Sequence, residues 1–139
     1  MPWIQNIAAI EAHSGLHKFE HNTVLIQIMD PDTQWWPKSD RPFKSIHQFQ
    51  FLDVDEKSDA DPSMRMDDKQ AQQIVAILKK ALLEESNVVV HCVAGLCRSG
   101  AVCEVGVMMG FDDTHRFRSP NTWVKRKLMS VLGWTYENH

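Results

Sequence analysis

Residues 88–100 read Val-Val-Val-His-Cys-Val-Ala-Gly-Leu-Cys-Arg-Ser-Gly. Three successive β-branched residues, Val88 to Val90, predict a buried strand. His91 and Cys92 close it, five residues lead to Arg98, Ser99 and Gly100, and an apolar helical pattern follows. A strand, a tight turn and a helix N-terminus in succession form a positive concavity of backbone N–H groups that fits a tetrahedral oxyanion. The same field favours a thiolate, so Cys92 at its base is expected to be ionised near neutral pH and nucleophilic. The backbone from Val93 through Ala94, Gly95, Leu96 and Cys97 to Arg98 is the candidate phosphate-binding set. Gly95 is expected to let the chain turn with its N–H groups inward, where a Cβ would crowd the ligand. Arg98 offers, at the rim, a planar fork able to grip two phosphate oxygens. Ser99 can hydrogen-bond the sulfur and stabilise it as a leaving group.

The run His91-Cys92-x2-Gly95-x2-Arg98-Ser99-Gly100 resembles the HCxxGxxRS(T)G signature loop of the cysteine-dependent protein tyrosine phosphatase superfamily, in particular its small dual-specificity-like members. The resemblance implies that Cys92 is the nucleophile, that Arg98 binds phosphate and that Ser99 assists hydrolysis. It implies that His91 braces the loop backbone and helps keep Cys92 ionised. Members of the family protonate the leaving group with an aspartate placed just after a strand, a few tens of residues before the cysteine. Asp53, in Phe51-Leu52-Asp53, fits that pattern. Asp55 is the alternative, and Asp59 and Asp61 lie in the acidic stretch beyond. Extra residues, roughly 57–65, separate this acid from the next helix. Trp35-Trp36-Pro37-Lys38-Ser39-Asp40 resembles the WPD loop of larger tyrosine-specific enzymes, but it precedes the strand near Phe49, so Asp40 is in the wrong place for the acid. Core packing is the preferred reading of Trp35 and Trp36, with the cleft rim second. Cys97 has a counterpart in the small acid-type tyrosine phosphatases (CxxxxCRS), which implies a reversible disulfide with Cys92 that shields it from over-oxidation. The competing reading of Cys97 is a small apolar filler.

Composition agrees with a globular chain. The chain has 139 residues, enough for one domain, here expected to be a phosphatase-like catalytic domain over 1–139. Hydrophobic residues make up 43% and charged residues 24%, which sets it apart from disordered chains. A formal net charge of −3 argues against nucleic acid or an anionic membrane as a bulk electrostatic partner. No run reaches membrane-spanning length, and the N-terminus lacks a signal-peptide pattern. Three cysteines in no framework spacing point to a reducing, cytoplasmic setting.

Along the chain, residues 4–20 read as a short strand and a helix marked by Ile7, Ile10, Leu16 and Phe19. Thr23–Met29 reads as a buried strand bounded by Asp30-Pro31, and 30–45 as loop. Gln48–Val54 is the next expected strand. A helix is predicted from an N-cap at Asp67 or Asp68 to about Glu85, with Ile74, Ile77, Leu78 and Leu82 on one face. Val88–His91 is the central strand, Gly100–Met109 the helix after it, and Asn121–Leu132 the last helix, with Ser119-Pro120-Asn121 read as capping. The stretch 112–118 reads as solvated charge, with a loop touching substrate as the second reading, and Cys103 as a packed helical residue. His13, His17 and His21 have helical spacing but no evident further ligand, so no metal site is expected. The fold class is α/β, a central mostly parallel sheet flanked by helices on both faces and tyrosine-phosphatase-like, with the loop at the carboxyl end of a strand.

The expected function is hydrolysis of phosphotyrosine, with phosphoserine and phosphothreonine as further substrates, through a cysteinyl-phosphate and without a cofactor. The expected partners are phosphorylated proteins or peptides, with phosphate, vanadate or sulfate as anion ligands, and neither nucleic acid nor membrane. The alternatives are a phosphatase for a non-protein phosphomonoester (a phosphoinositide or an RNA 5′ phosphate), a sulfur-transfer or arsenate-reducing enzyme, and a silent phosphate-binding module.

Overall fold

Strands buried on both faces need apolar residues at every position rather than at alternate ones. Thr23–Met29 and Asn87–Cys92 come close to that requirement, and both are buried from end to end. The computed structural model describes residues 2–14, 22–34, 36, 43–54 and 64–135. Leu16, His17, Phe19, His21, Trp35, Asp40, Asp55, Asp59 and Asp61 lie outside the described residues, as does the side chain of His13.

Among the described residues the strands are β1 (Trp3–Ala8), β2 (Thr23–Met29), β3 (Ser45–Gln50), β4 (Asn87–Cys92) and the two-residue β5 (Asp112–Asp113). They form one sheet in the order β3-β2-β4-β1-β5, and every pairing is parallel. The helices are α1 (Ala9–Ser14), α2 (Asp68–Leu83), α3 (Arg98–Met109) and α4 (Thr122–Val131). The α/β class with a parallel sheet is therefore as expected. Its two faces are covered unequally. Ile4, Ile26, Ile28, Val88 and Val90 join residues of α2, α3 and α4 in the larger core, whereas Ile7, Leu25 and Val89 pack with Ala12 of α1.

α2 begins with a reciprocal cap: the Gln70 N–H donates to Asp67 Oδ1 at 2.7 Å and the Asp67 N–H to Gln70 Oε1 at 3.0 Å. Its buried face carries Ile74 and Leu78, while Ile77 and Leu82 are partly covered. α3 is buried on most of its circumference, and small residues (Gly100, Ala101, Gly106) let it lie between the sheet and α4.

The structure corrects four expectations. The third strand covers Ser45–Gln50 rather than 48–54, because its partner β2 pairs with Ser45 through Gln50 and runs out at Met29. Phe51 extends the pairing only by its N–H, which reaches the Met29 carbonyl at 3.1 Å. α3 starts at Arg98, two residues earlier than the apolar pattern suggests. Ile10 is 73% exposed and is no core marker. Asp112–Asp113 pairs with Trp3–Ile4, a strand too short and too charged to show in periodicity.

Because every pairing is parallel, every strand ends at the same edge of the sheet. Ala9 after β1, Asp30 after β2, Phe51–Asp53 after β3 and the 93–97 loop after β4 converge there. No described helix is long and apolar enough to cross a membrane.

Candidate active site

Cys92 is the last residue of β4 and Arg98 the first of α3, so the loop between them turns on itself across residues 93–97. Four of its carbonyls are tied outward. The Val93 oxygen accepts from Ala9 N–H at 3.2 Å, and Leu96 oxygen from Ser119 N–H at 2.9 Å. Cys97 oxygen accepts from Asn121 N–H at 3.0 Å as well as from Ala101 N–H within α3. The fourth, Gly95 oxygen, accepts from Asn6 Nδ2 at 2.7 Å. In a planar trans peptide the next N–H points opposite to the carbonyl. Tying these carbonyls to the surrounding protein therefore turns the following N–H groups toward the loop's interior.

Cys92 Sγ lies at the base of that interior. It accepts from Gly95 N–H at 3.2 Å and lies 3.2 Å from Ser99 Oγ. Ser99 is thus placed to hydrogen-bond the sulfur, as its position in the sequence suggests. α3 opens at Cys97 without a side-chain cap, whereas α2 is capped by Asp67 and α4 by Asn121. No capping side chain therefore takes up its first-turn amides, an arrangement that suits an anion.

Gly95 lets the chain turn as expected, but what a Cβ there would crowd is different. It has φ +76°, and a Cβ there would fall 2.4 Å from Ala8 N and Ile7 C. The crowding is against the backbone of β1, which the loop packs on directly.

Arg98 is not at a rim. Its side chain is only 5% exposed and its Nη1 donates to Asp30 Oδ1 at 2.7 Å and to the Phe51 carbonyl at 2.8 Å, while Nε is buried with no partner. The cation is held between the ends of β2 and β3. Sequence reasoning misses Asp30, which reads there as a turn residue before Pro31; only the convergence of strand ends brings it to Arg98.

Asp53 follows β3 and is exposed. Its Oδ1 accepts from Asn121 Nδ2 at 2.7 Å. The same Asn121 side chain caps α4 by accepting from Val124 N–H at 3.0 Å. Capping alone is therefore an incomplete reading of Ser119-Pro120-Asn121: one amide caps the helix and fixes Asp53 beside the loop. Asp53 also meets Cys97, whose thiol pKa is raised by burial first and by the Asp53 carboxylate second. Cys97 thus stays a thiol directed at Asp53, and pairing with Cys92 requires giving up that contact.

His91 departs from its expected role. It is fully buried, and burial lowers its pKa to about 4, with contact to the Cys92 backbone opposing the shift and the Arg98 charge adding to it. Neither ring nitrogen makes a hydrogen bond of normal geometry. The ring is neutral near physiological pH, so it packs against the loop but brings no positive charge to Cys92. Its neutral form is the one the fold stabilises, so stability is complete above the unfolded pKa of about 6.5 and falls as the pH drops toward 4. The full difference is about 3 kcal/mol. His47 is shifted in the same direction by burial. We expect the urea midpoint to fall between neutral pH and about pH 4.5, and His91→Asn to remove most of that slope. An unchanged slope would mean that His91 is not the group that titrates.

The 112–118 segment is not merely solvated charge. Arg118 pairs bidentately with Asp113 at 2.9 and 3.0 Å and reaches Glu104 at 2.7 Å, which holds the Asp113 pKa down to about 2. Arg116 pairs with Glu11 of α1. The guanidinium groups beside the loop are therefore committed to carboxylates.

No protein-family model matches the sequence, and no curated protein matches it. Solved structures do match in fold. Human DUSP28 superposes with a TM-score of 0.58 at 15% identity, covering 94% of this chain and 92% of that one. The OH1 protein of Orf virus, described as a tyrosine phosphatase with triple substrate specificity, gives 0.50 at 16% identity over 78% of this chain and 57% of its own.

Proposed function

We propose that this chain, which has the fold of dual-specificity tyrosine phosphatases, is a cysteine-dependent phosphatase. Its substrate is phosphotyrosine in a protein or peptide, with phosphoserine or phosphothreonine accepted where the cleft admits a shorter side chain. The observation that carries the reading is the placing of Cys92 Sγ at the base of a loop whose carbonyls are drawn outward, with Gly95 N–H and Ser99 Oγ at the sulfur. Cys92 attacks phosphorus in line, and the ester oxygen leaves with a proton from Asp53. The loop N–H groups and Arg98 stabilise the charge on the transferring phosphoryl oxygens. Water then attacks the cysteinyl-phosphate, its proton returns to Asp53, and the sulfur leaves with Ser99 Oγ beside it. The committed guanidinium groups of Arg116 and Arg118 favour a single phosphate over a polyphosphorylated inositide, which needs further free cations.

The test is pre-steady-state turnover of p-nitrophenyl phosphate. A burst of p-nitrophenol stoichiometric with enzyme, unaffected by chelators, with acid-stable phosphate on Cys92, is the expected result. Linear release with no phosphocysteine would refute the covalent route. A panel of phosphopeptides against phosphoinositides then decides between protein and lipid substrates.

Asp53→Asn should lower kcat for phenyl phosphate by about 10²–10³ and for p-nitrophenyl phosphate by less, because the poorer leaving group depends more on protonation. Asn121→Ser, which keeps a helix cap but cannot hold Asp53, should show the same leaving-group dependence in weaker form. If Asp53→Asn slows both substrates equally, another carboxylate is the acid.

A further inference from the structure

We infer that Asn6 is a positioning residue for the anion cradle, holding the Gly95–Leu96 peptide so that Leu96 N–H faces the phosphate, and tying that peptide to the segment carrying Phe117. The inference rests on the phosphatase reading and deepens it.

Asn6 lies on β1 and is fully buried. Its Nδ2 donates at 2.7 Å to the Gly95 carbonyl and at 3.1 Å to the Phe117 carbonyl. Its Oδ1 is buried without a partner. A buried amide with one end unsatisfied is a cost that an aliphatic residue would avoid, so the position is explained by what the other end does. The amide cannot be turned round, since its oxygen would then face two carbonyl oxygens. The orientation is therefore set by the network.

The other three anchored carbonyls are held by backbone N–H groups of Ala9, Ser119 and Asn121, which come with the fold. Gly95 has no such support and is also the most permissive residue in the loop, at φ +76°. Without a donor at Asn6, its carbonyl is free to rotate inward. That would replace the Leu96 N–H with an oxygen facing the anion, a reversal of sign at the place where charge develops. The second acceptor extends the effect. Phe117 is 74% exposed and sits between Arg116 and Arg118, both locked to carboxylates. One amide therefore fixes the cradle relative to the exposed aromatic beside it.

Two variants that keep the γ-branched shape test this. Asn6→Leu removes the donor without adding charge. Asn6→Asp sets a carboxylate against two carbonyls; burial and those oxygens raise its pKa, so its protonated form can donate once at low pH and loses that ability as pH rises. With inorganic vanadate as the probe, inhibition constants near neutral pH should rise on the order of 10-fold for Asn6→Leu and 10²-fold for Asn6→Asp. Vanadate should fail in the same proportion to protect Cys92 from iodoacetate. Asn6→Asp alone should recover part of the affinity near pH 5. Wild-type vanadate affinity in Asn6→Leu overturns the inference, whether or not Asn6→Asp folds. So does a loss that follows melting temperature with no recovery at low pH in a folded Asn6→Asp. If the wild type itself neither binds vanadate nor hydrolyses p-nitrophenyl phosphate, the phosphatase reading falls, and this inference with it.

Discussion

We expect Cys92→Ser to lose on the order of 10⁴-fold or more in kcat while the protein stays folded and keeps its affinity for inorganic phosphate. The substitution exchanges sulfur for oxygen in a buried position and leaves the Gly95 N–H and Ser99 Oγ contacts a partner of similar size. The cradle is built from backbone N–H groups fixed by their own carbonyl anchors, so it does not depend on the thiol. What disappears is the proposed nucleophile: an alcohol with no adjacent base is a poor attacking group at neutral pH. The neighbouring His91 has no hydrogen bond to the Cys92 side chain through which to act as that base for the introduced hydroxyl. Cys103→Ser is the control. Its sulfur lies in α3, 3.7 Å from the Ile4 carbonyl, and burial pushes its pKa up to about 11, so full activity is expected. Stopped-flow turnover and equilibrium binding of inorganic phosphate on the two variants make the check. Substantial activity in Cys92→Ser would remove the covalent mechanism altogether.

Gly95→Ala should abolish anion binding and destabilise the chain together. A side chain at φ +76° is strained wherever it sits, and here its Cβ would overlap the Ile7–Ala8 peptide at 2.4 Å. Backbone cannot swing aside as a long side chain can, so the loop must lift off β1. Strain and overpacking together cost roughly 2–5 kcal/mol, and the loop that escapes them no longer holds its N–H groups on one centre. We expect kcat/KM to fall by at least about 10³ and the melting temperature by roughly 10 °C. Gly133 gives the comparison, because it shares φ +76° but has nothing within 4 Å of the added carbon. Gly133→Ala should lose only about 1–2 kcal/mol and no activity. Equal losses in the two variants would show that strain, not the contact with β1, accounts for the glycine.

Much of the architecture is legible in the sequence because it depends on local pattern. Val88–Val90 and the run Val24–Ile26 are apolar without alternation, and such runs specify strands covered on both faces. α2 announces its start through Asp67 and Gln70, whose side-chain chemistry works within one turn. The limits of β3 are not legible, because an edge strand is half exposed and its ends come from the partner it pairs with rather than from its own residues. β5 has too few residues to carry a pattern. Within the site, Cys92, Arg98 and Ser99 occur in one short stretch, and its resemblance to the phosphatase signature loop implies the roles proposed for them. Asp30, Asn121 and Asn6 do not, since each is an ordinary polar residue until the fold delivers a partner to it.

From its sequence alone this chain determines a strand, a turn and a helix N-terminus with a cysteine inside, because those features rest on neighbours a few residues apart. Only the tertiary structure decides that Arg98 lies buried against Asp30 and that Asn121 holds Asp53. It also decides that His91 is neutral and that Gly95 is required by β1. The physical reason is that hydrogen bonding and desolvation act over a few ångströms of space. In a parallel sheet the ends of strands separated by dozens of residues are brought within that reach.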